Sequence, residues 1–97
     1  MKKIINLIFV FLLMASCSVL GDIKMEEAFN ALDAGDFELA IVRLLEAVEL
    51  KPSSYSEEQI YTMIGNAYND QADFSRALEY HNKVLELNPD SPTGLLN

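Results

Sequence analysis

Histidine and cysteine, two residue types that often carry out chemistry, are scarce in this 97-residue chain. His81 is the only histidine and Cys17 the only cysteine. No Ser-His-Asp set with identifiable partners can be argued, and no metal-ligand spacing of His and Cys occurs. The four glycines are isolated and form no phosphate-binding loop. We therefore predict no catalytic residue, no cofactor and no metal ion, and interpret the chain as non-enzymatic.

Two acidic pairs are the remaining candidates for acid–base chemistry. Glu26-Glu27 and Glu57-Glu58 lie where first helical turns are predicted, and negative charge interacts favourably with a helix dipole there. His81 falls within a predicted helix, where a packing role is expected. All five side chains are thus interpreted as structural. An enzyme remains the least favoured of three functional classes.

The chain is acidic, with a net charge of −8. Loss of Lys2 and Lys3 with a cleaved leader would change that charge to −10. Such a field repels nucleic acid, and no basic stripe reverses it. A basic protein surface is the expected partner, unless the acidity serves only to keep the protein soluble.

The first residues have the pattern of an export signal. Lys2 and Lys3 precede an apolar run from Ile4 to Ala15. This run is too short to span a bilayer core, which needs a helix of about 20 apolar residues. Small residues lead to Cys17. A charged segment, a short apolar segment and a small-residue cleavage site indicate a secretory signal. An ordinary signal peptide with a bystander cysteine, and an uncleaved anchor through Leu20, remain alternatives.

Met14-Ala15-Ser16-Cys17 resembles the bacterial lipoprotein box, although Met14 replaces the preferred Leu. The resemblance implies cleavage before Cys17 and lipidation of that residue. It would also explain an odd cysteine in an exported protein. One acyl chain binds membranes marginally and several bind stably, so the implied anchor is permanent. Ser18 after the cysteine resembles an outer-membrane sorting signal of Gram-negative bacteria, which implies a location facing the periplasm.

Two segments of the chain match at a spacing of 37 residues. Matched pairs include Asp36-Phe37 with Asp73-Phe74, Ala40 with Ala77, Val48-Glu49-Leu50 with Leu85-Glu86-Leu87, and Pro52 with Pro89. An internal repeat with this period indicates a stack of equivalent supersecondary units.

Each copy is predicted to form a helical hairpin. In copy one, helices run from about Ile23 to Asp33 and from Asp36 to just before Pro52. In copy two, Ser56 and Gln59 form a predicted capping box. That helix continues to about Asp70, and the next runs from Asp73 to before Pro89. Phe37 and Phe74 are expected to pack under the turns.

Tyr61, Ile64, Gly65, Tyr68, Ala77 and Pro89 carry a family resemblance. Their spacing is similar to the tetratricopeptide repeat, with its W-x2-L-G-x2-Y, A-x3-F and P pattern over 34 residues. His81 departs from it, because the family prefers an aromatic residue there. The resemblance implies an all-α fold of tetratricopeptide-type hairpins stacked as a short α-solenoid.

The predicted organisation follows from the signal and the repeats. It comprises a lipoprotein signal peptide (1–16), a lipidated Cys17 with a short tether (17–22), a degenerate first repeat (23–54), a second repeat (58–91) and the start of an incomplete third repeat or a cap (92–97). Self-association or a partner would complete a stack that usually needs three or more repeats.

The resemblance also implies a working surface, the concave face built from the first helix of each hairpin. The residues placed there are Gln59, Thr62, Met63, Asn66, Asn69 and Asp70 in copy two, and Met25, Glu26, Phe29, Leu32 and Asp33 in copy one. In related repeats such Asn side chains hydrogen-bond the backbone of an extended peptide. The alternative is a solvated helix surface.

The favoured function is a membrane-anchored interaction module of the bacterial cell envelope that binds a protein or peptide. The other candidate is a small structural envelope lipoprotein, or a remnant of a longer repeat protein, without a dedicated ligand.

Overall fold

The computed structural model describes the fold of residues 2–90, with the side chains of residues 16–90. Four helices follow one another: α1 (Lys2–Asp33), α2 (Phe37–Leu50), α3 (Glu57–Asp70) and α4 (Phe74–Leu87). Helix α1 packs on α2, α2 on α3 and α3 on α4. The fold is therefore all-α, a short stack of two tetratricopeptide-type helical hairpins. The predicted start of a third repeat, 92–97, lies outside the described residues.

Helix α1 begins much earlier than the sequence predicted. The expected start was about Ile23, but the helix is continuous from Lys2 and includes residues 17–22, the predicted tether. The helix continues through Gly21, which packs closely against the chain that follows α2. A Cβ at this position would lie only 3.0 Å from Pro52 N. Asp22 then accepts hydrogen bonds from Ser53 Oγ (2.7 Å) and Ser54 N (3.2 Å). These contacts fix the segment to the hairpin.

The predicted helix ends in the rest of the chain are confirmed. Asp36 and Asp73 cap α2 and α4 by accepting hydrogen bonds from Leu39 N and Arg76 N. Ser56 and Gln59 form the capping box of α3, at 2.8 and 3.2 Å. Each cap satisfies N–H groups that have no partner within a helix.

Apolar residues of the first three helices form one core. The buried members of this cluster are Met25, Ala28, Ile41, Leu44, Ala47, Ile60, Ile64 and Ala67. In α4, Ala77, His81 and Val84 are buried. Gly65 lets α4 approach α3, since a Cβ on it would lie only 2.8 Å from His81 Cε1. Gly65 is therefore the residue at which α3 and α4 approach each other most closely around His81.

The expectation that both phenylalanines pack under the turns is wrong for one of them. Phe37 packs against the core, but Phe74 is 65% exposed. The reason is position in the stack, because α2 is followed by α3, whereas no described helix follows α4. Phe74 therefore remains on the surface of the described structure.

Equivalent positions of the two hairpins carry different side-chain clusters. In the second hairpin the Tyr61 and Tyr80 rings lie 5.9 Å apart, with Lys83 Nζ 5.8 Å from the Tyr61 ring. The residues 37 positions earlier are Lys24, Arg43 and Glu46. They form ion pairs instead: Lys24 with Glu46 (3.2 Å), Arg43 with Glu46 (2.6 Å) and Arg43 with Glu27 (2.9 Å). The first hairpin thus replaces an aromatic cluster by partly exposed charge pairs.

Candidate protein-binding surface

The surface predicted from the repeat pattern lies on α1 and α3. Gln59, Asn66, Asn69 and Asp70 are exposed on α3, while Thr62 and Met63 beside them are half-buried. On α1, Glu26 and Asp33 are exposed, and Phe29 and Leu32 are half-buried against the core.

Met25 does not belong to this surface. It is 1% exposed and lies in the main apolar cluster, so it has no area for a partner to contact. Its placement on the binding face is therefore corrected. The cause is the degenerate first repeat, where an apolar side chain occupies the position equivalent to Thr62, 37 residues later.

Local hydrogen bonds engage two of the predicted residues. Gln59 Oε1 accepts from Ser56 N in the capping box. The Thr62 hydroxyl donates to the Glu58 carbonyl at 2.9 Å. These polar groups are already hydrogen-bonded within α3 and its N-terminal cap. They are therefore less available to bind a partner.

The side chains of Asn66, Asn69 and Asp70 make no hydrogen bond or ion pair within the described part of the chain. Asn66 and Asn69 are three residues apart, so they lie one turn from each other on the same side of α3. Each amide group offers both donors and an acceptor. This pair can therefore bind the N–H and C=O groups of an extended backbone.

The electrostatics of this surface are acidic. Helix α3 contains Glu57, Glu58 and Asp70 and no Lys or Arg. Lys24 of α1 is held in ion pairs with Glu27 and Glu46. A basic or neutral segment is consequently better matched to this face than an acidic one.

Tyr55 is a contributor that the sequence analysis did not identify. It lies in the Ser-rich connection before α3, and its ring packs against Phe29 with centroids 5.5 Å apart. It also lines a cavity of about 340 Å³ together with Val48, Lys51, Pro52, Glu57 and Ile60. An aromatic residue within a run of serines was the available signal.

Cys17 is exposed near the N-terminal end of the described side chains. It borders a cleft of about 360 Å³ that is also lined by Ser18, Glu49, Leu50 and Lys51. The thiol is sterically accessible. In residues 16–90, no helix is long and apolar enough to cross a bilayer. No cluster of three His, Cys, Asp or Glu suited to a metal ion occurs among the described residues.

His81 of α4 is buried against Gly65 of α3. It is 5% exposed, and its Nδ1 has no hydrogen-bond partner among the described residues. Burial lowers the pKa of this imidazole from its ordinary value of 6.5. A neutral imidazole packed against Gly65 is a core residue, in agreement with its predicted packing role.

Comparisons with known proteins support the repeat. The chain is 30% identical over 81 residues to "Photosystem I assembly protein Ycf3" of Cyanophora paradoxa, a match that covers 76% of this chain and 47% of that protein. This chain therefore spans about half the length of the curated relative that it matches. No solved structure gives a significant match. Residues 59–91 match the family "Tetratricopeptide repeat", and with the stacked hairpins they identify α3 and α4 as a tetratricopeptide repeat.

Proposed function

We propose that this protein is a lipid-anchored interaction module of a bacterial cell envelope, which binds a segment of another protein along α3. The tetratricopeptide repeat itself indicates protein–protein interaction, and such repeats are generally scaffolds without catalytic activity. The membrane anchor, the location and the partner's chemistry go beyond that general role.

The unpaired amides of Asn66 and Asn69 carry the binding proposal. They are exposed, lie one helical turn apart and have no internal hydrogen bonds in the described structure. Half-buried Met63 provides an apolar contact beside them, and Asp70 adds negative charge. An extended, neutral or basic segment fits this combination, because its backbone pairs with the amides and its side chains meet an acidic surface.

The relative supports a general type of role. That protein's name describes a role in the assembly of photosystem I. By analogy, the module would hold a subunit or peptide during assembly of a larger envelope complex. Holding a partner needs a shaped surface and no reactive group, which agrees with the polar groups exposed on α3.

Cys17 carries the proposed anchor. It follows the lipoprotein-box residues, and its side chain is exposed, as lipid attachment requires. Asp22 lies five residues after Cys17 on the same helix, α1, and it accepts a hydrogen bond from Ser53 after α2. This bond holds the start of the described part of α1 against the hairpin. The repeat would therefore lie close to the lipid headgroups, on the outer membrane facing the periplasm if the cell is Gram-negative.

Mass spectrometry of the protein isolated from membranes tests the anchor. The account predicts a chain that begins at Cys17 and carries acyl groups there, and a Cys17→Ser variant that lacks them. A free Cys17 thiol, or a mature chain beginning elsewhere, would overturn the anchor without affecting the binding surface.

Affinity capture from detergent-solubilised envelopes tests the binding surface. The native chain should retain a specific protein, and the Asn66→Ala, Asn69→Ala double variant should retain much less. Val42→Ala is the matched control, because Val42 is 48% exposed on α2, which is outside the proposed surface. Equal capture by the double variant and the control would refute the assignment of this surface.

A further inference from the structure

An aromatic pair lies on the α1 side of the predicted binding surface. Phe29 of α1 and Tyr55 of the connection before α3 pack with ring centroids 5.5 Å apart, and both residues are half-buried, so part of each remains exposed. Phe29 lies 37 residues before Asn66, so these two residues occupy the same position of the repeat. Since α1 and α3 both pack on α2, the aromatic pair and the exposed amides belong to neighbouring helices of one surface.

Two unpaired carboxylates flank the aromatic pair. Glu26 lies three residues before Phe29 and Asp33 four residues after it, so helix geometry places all three on one side of α1, about one turn apart. Both carboxylates are exposed, and neither forms an ion pair or a hydrogen bond within residues 16–90. The exposed surface around Phe29 is therefore aromatic at its centre and negatively charged at two edges.

The second hairpin shows a different arrangement around its own aromatic rings. Three tyrosine rings there have a cation of the same hairpin within 5.7 to 6.0 Å of the ring centroid: Arg76 near Tyr68, and Lys83 near Tyr61 and Tyr80. A cation within about 6 Å is attracted by the negative face of an aromatic ring. Phe29 and Tyr55 have no such cation in the described part of the chain, so their rings lack the positive group that the tyrosines of the second hairpin have.

No other cation of the chain is placed to supply this positive group. Among the described Lys and Arg residues, all but Lys51 are held in ion pairs or near tyrosine rings. Lys51 lines the cavity beside Tyr55, but it lies over neither ring of the pair. Residues 91–97 contain no Lys or Arg. The nearer N-terminal lysine, Lys3, lies in the same helix about 35 Å before Glu26. A cation at the aromatic pair would therefore come from another molecule.

We propose that Glu26, Phe29, Asp33 and Tyr55 form an arginine site, which binds an arginine side chain of the partner segment. This inference rests on the proposed function, because it names the chemistry of the segment that binds along α3. The guanidinium lies on the exposed part of the rings and donates to Glu26, since side chains on a helix lean toward its N-terminus and bring the Phe29 ring toward that carboxylate. Asp33 adds negative charge one turn further on.

Arginine fits this site better than lysine does. A planar guanidinium stacks on aromatic rings and at the same time offers several N–H donors to a carboxylate, whereas an ammonium is a compact and strongly hydrated charge. A positive side chain also complements the charge of the surface, because Glu26 and Asp33 have no cation of their own. The partner segment is therefore expected to carry an arginine beyond the part that pairs with Asn66 and Asn69.

Nuclear magnetic resonance of the full chain in a neutral detergent tests the arginine site with a single residue as the probe. The probe is N-acetyl-arginine methylamide, and its control is the citrulline analogue, which has nearly the same shape and no charge. The arginine probe should shift the signals of Glu26, Phe29 and Tyr55, with a dissociation constant at least about fivefold lower than that of the citrulline probe. Equal constants, or shifts only at other residues, would overturn the proposal.

Single substitutions separate the roles of the ring and the carboxylate. Tyr55→Leu removes a ring and Glu26→Gln removes a charge, and each should reduce the preference for arginine to about twofold or less. Tyr55→Phe should keep the preference, because the Tyr55 hydroxyl makes no hydrogen bond in the described structure. Glu79→Gln is the matched control for Glu26→Gln, because both glutamates are exposed and Glu79 lies on α4.

Circular dichroism of each variant shows whether the helices are retained. An undiminished preference for arginine in both Tyr55→Leu and Glu26→Gln would refute the assignment of these residues. A loss of the preference in Glu79→Gln equal to that in Glu26→Gln would refute it too, because the effect would then depend on net charge and not on position.

Peptide pools distinguish the arginine site from the proposed binding surface on α3. Two immobilised pools of random peptides, with arginine or citrulline fixed at the central position, are probed with the full chain. The native chain should be retained more strongly by the arginine pool. The Asn66→Ala, Asn69→Ala double variant should be retained less by both pools, with the same preference. Equal retention by the two pools would overturn the arginine site alone, whereas retention by neither pool would overturn the proposed peptide binding and the site with it.

Discussion

A methyl group at position 65 would collide with the buried ring of His81. A Cβ on Gly65 would lie 2.8 Å from His81 Cε1 and 3.1 Å from both ring nitrogens. The equivalent residues in the first hairpin are Ala28 and Leu44, both 0% exposed. The two hairpins therefore fill the same helix contact with different residue pairs, and substitutions can exchange one pair for the other.

The expected free energies follow from this contact. Gly65→Ala improves helix propensity by about 1 kcal/mol, but overpacking against His81 costs about 1–3 kcal/mol. The single variant should thus lose about 0–2 kcal/mol of unfolding free energy. His81→Leu removes a buried nitrogen without a partner, which is worth about 1–3 kcal/mol. The double variant avoids the collision and should gain about 2–4 kcal/mol in total.

Urea unfolding of the four proteins, followed by circular dichroism at about pH 7.5, measures these values and their coupling. The account predicts that Gly65→Ala destabilises the native chain and stabilises the His81→Leu chain. A coupling energy below about 0.5 kcal/mol would refute the reasoning, because it would mean that the two positions do not share a packing contact.

Three further substitutions or conditions test other contacts. Burial lowers the pKa of His81 below 6.5. The contribution of this histidine to the unfolding free energy should therefore be constant above pH 6.5 and decrease as the pH falls below it. The urea midpoints of the native chain and of His81→Leu should diverge below pH 6.5. Ala72 has φ +61° at the position equivalent to Gly35, so Ala72→Gly should raise the unfolding free energy by about 1 kcal/mol. Hydrogen bonds, first from Ser53 and also from Ser54, lower the pKa of Asp22, so Asp22→Ala should accelerate amide hydrogen exchange at Ser54.

Each of these predictions has a matched control. An equal acid sensitivity of the His81→Leu chain between pH 5 and about 6.5 would contradict the histidine assignment. Gly35→Ala, at φ +74°, should have the opposite sign to Ala72→Gly, and equal signs would contradict the strain argument. Asp33→Ala changes another exposed acid of α1, and it should leave exchange at Ser54 unchanged.

Local sequence signals predicted most of the fold. Asp36, Ser56 and Asp73 mark helix starts because their side chains accept from free N–H groups, and Pro52 and Pro89 mark ends because proline lacks a donor. These effects depend on residues three or four positions apart. They can therefore be recognised without knowing the tertiary structure.

Contacts distant in sequence explain what could not be predicted. Gly21 was expected to precede the first helix, but Pro52 packs against it and the helix continues through it. Phe74 was expected to be covered like Phe37, but its exposure depends on which helix comes next in the stack. Met25 shows the same limit for the candidate site, since a position on a repeat does not determine whether the side chain points to the core.

Site-specific photo-crosslinking tests the central claim, that α3 binds another protein through its exposed amide face. A photoreactive residue replaces Asn66 in the full chain, and cells are irradiated with the envelope intact. The account predicts one or a few specific adducts with another protein at Asn66 and none at Val42 on α2. Absence of an adduct at Asn66, or identical adducts at both positions, would contradict the account.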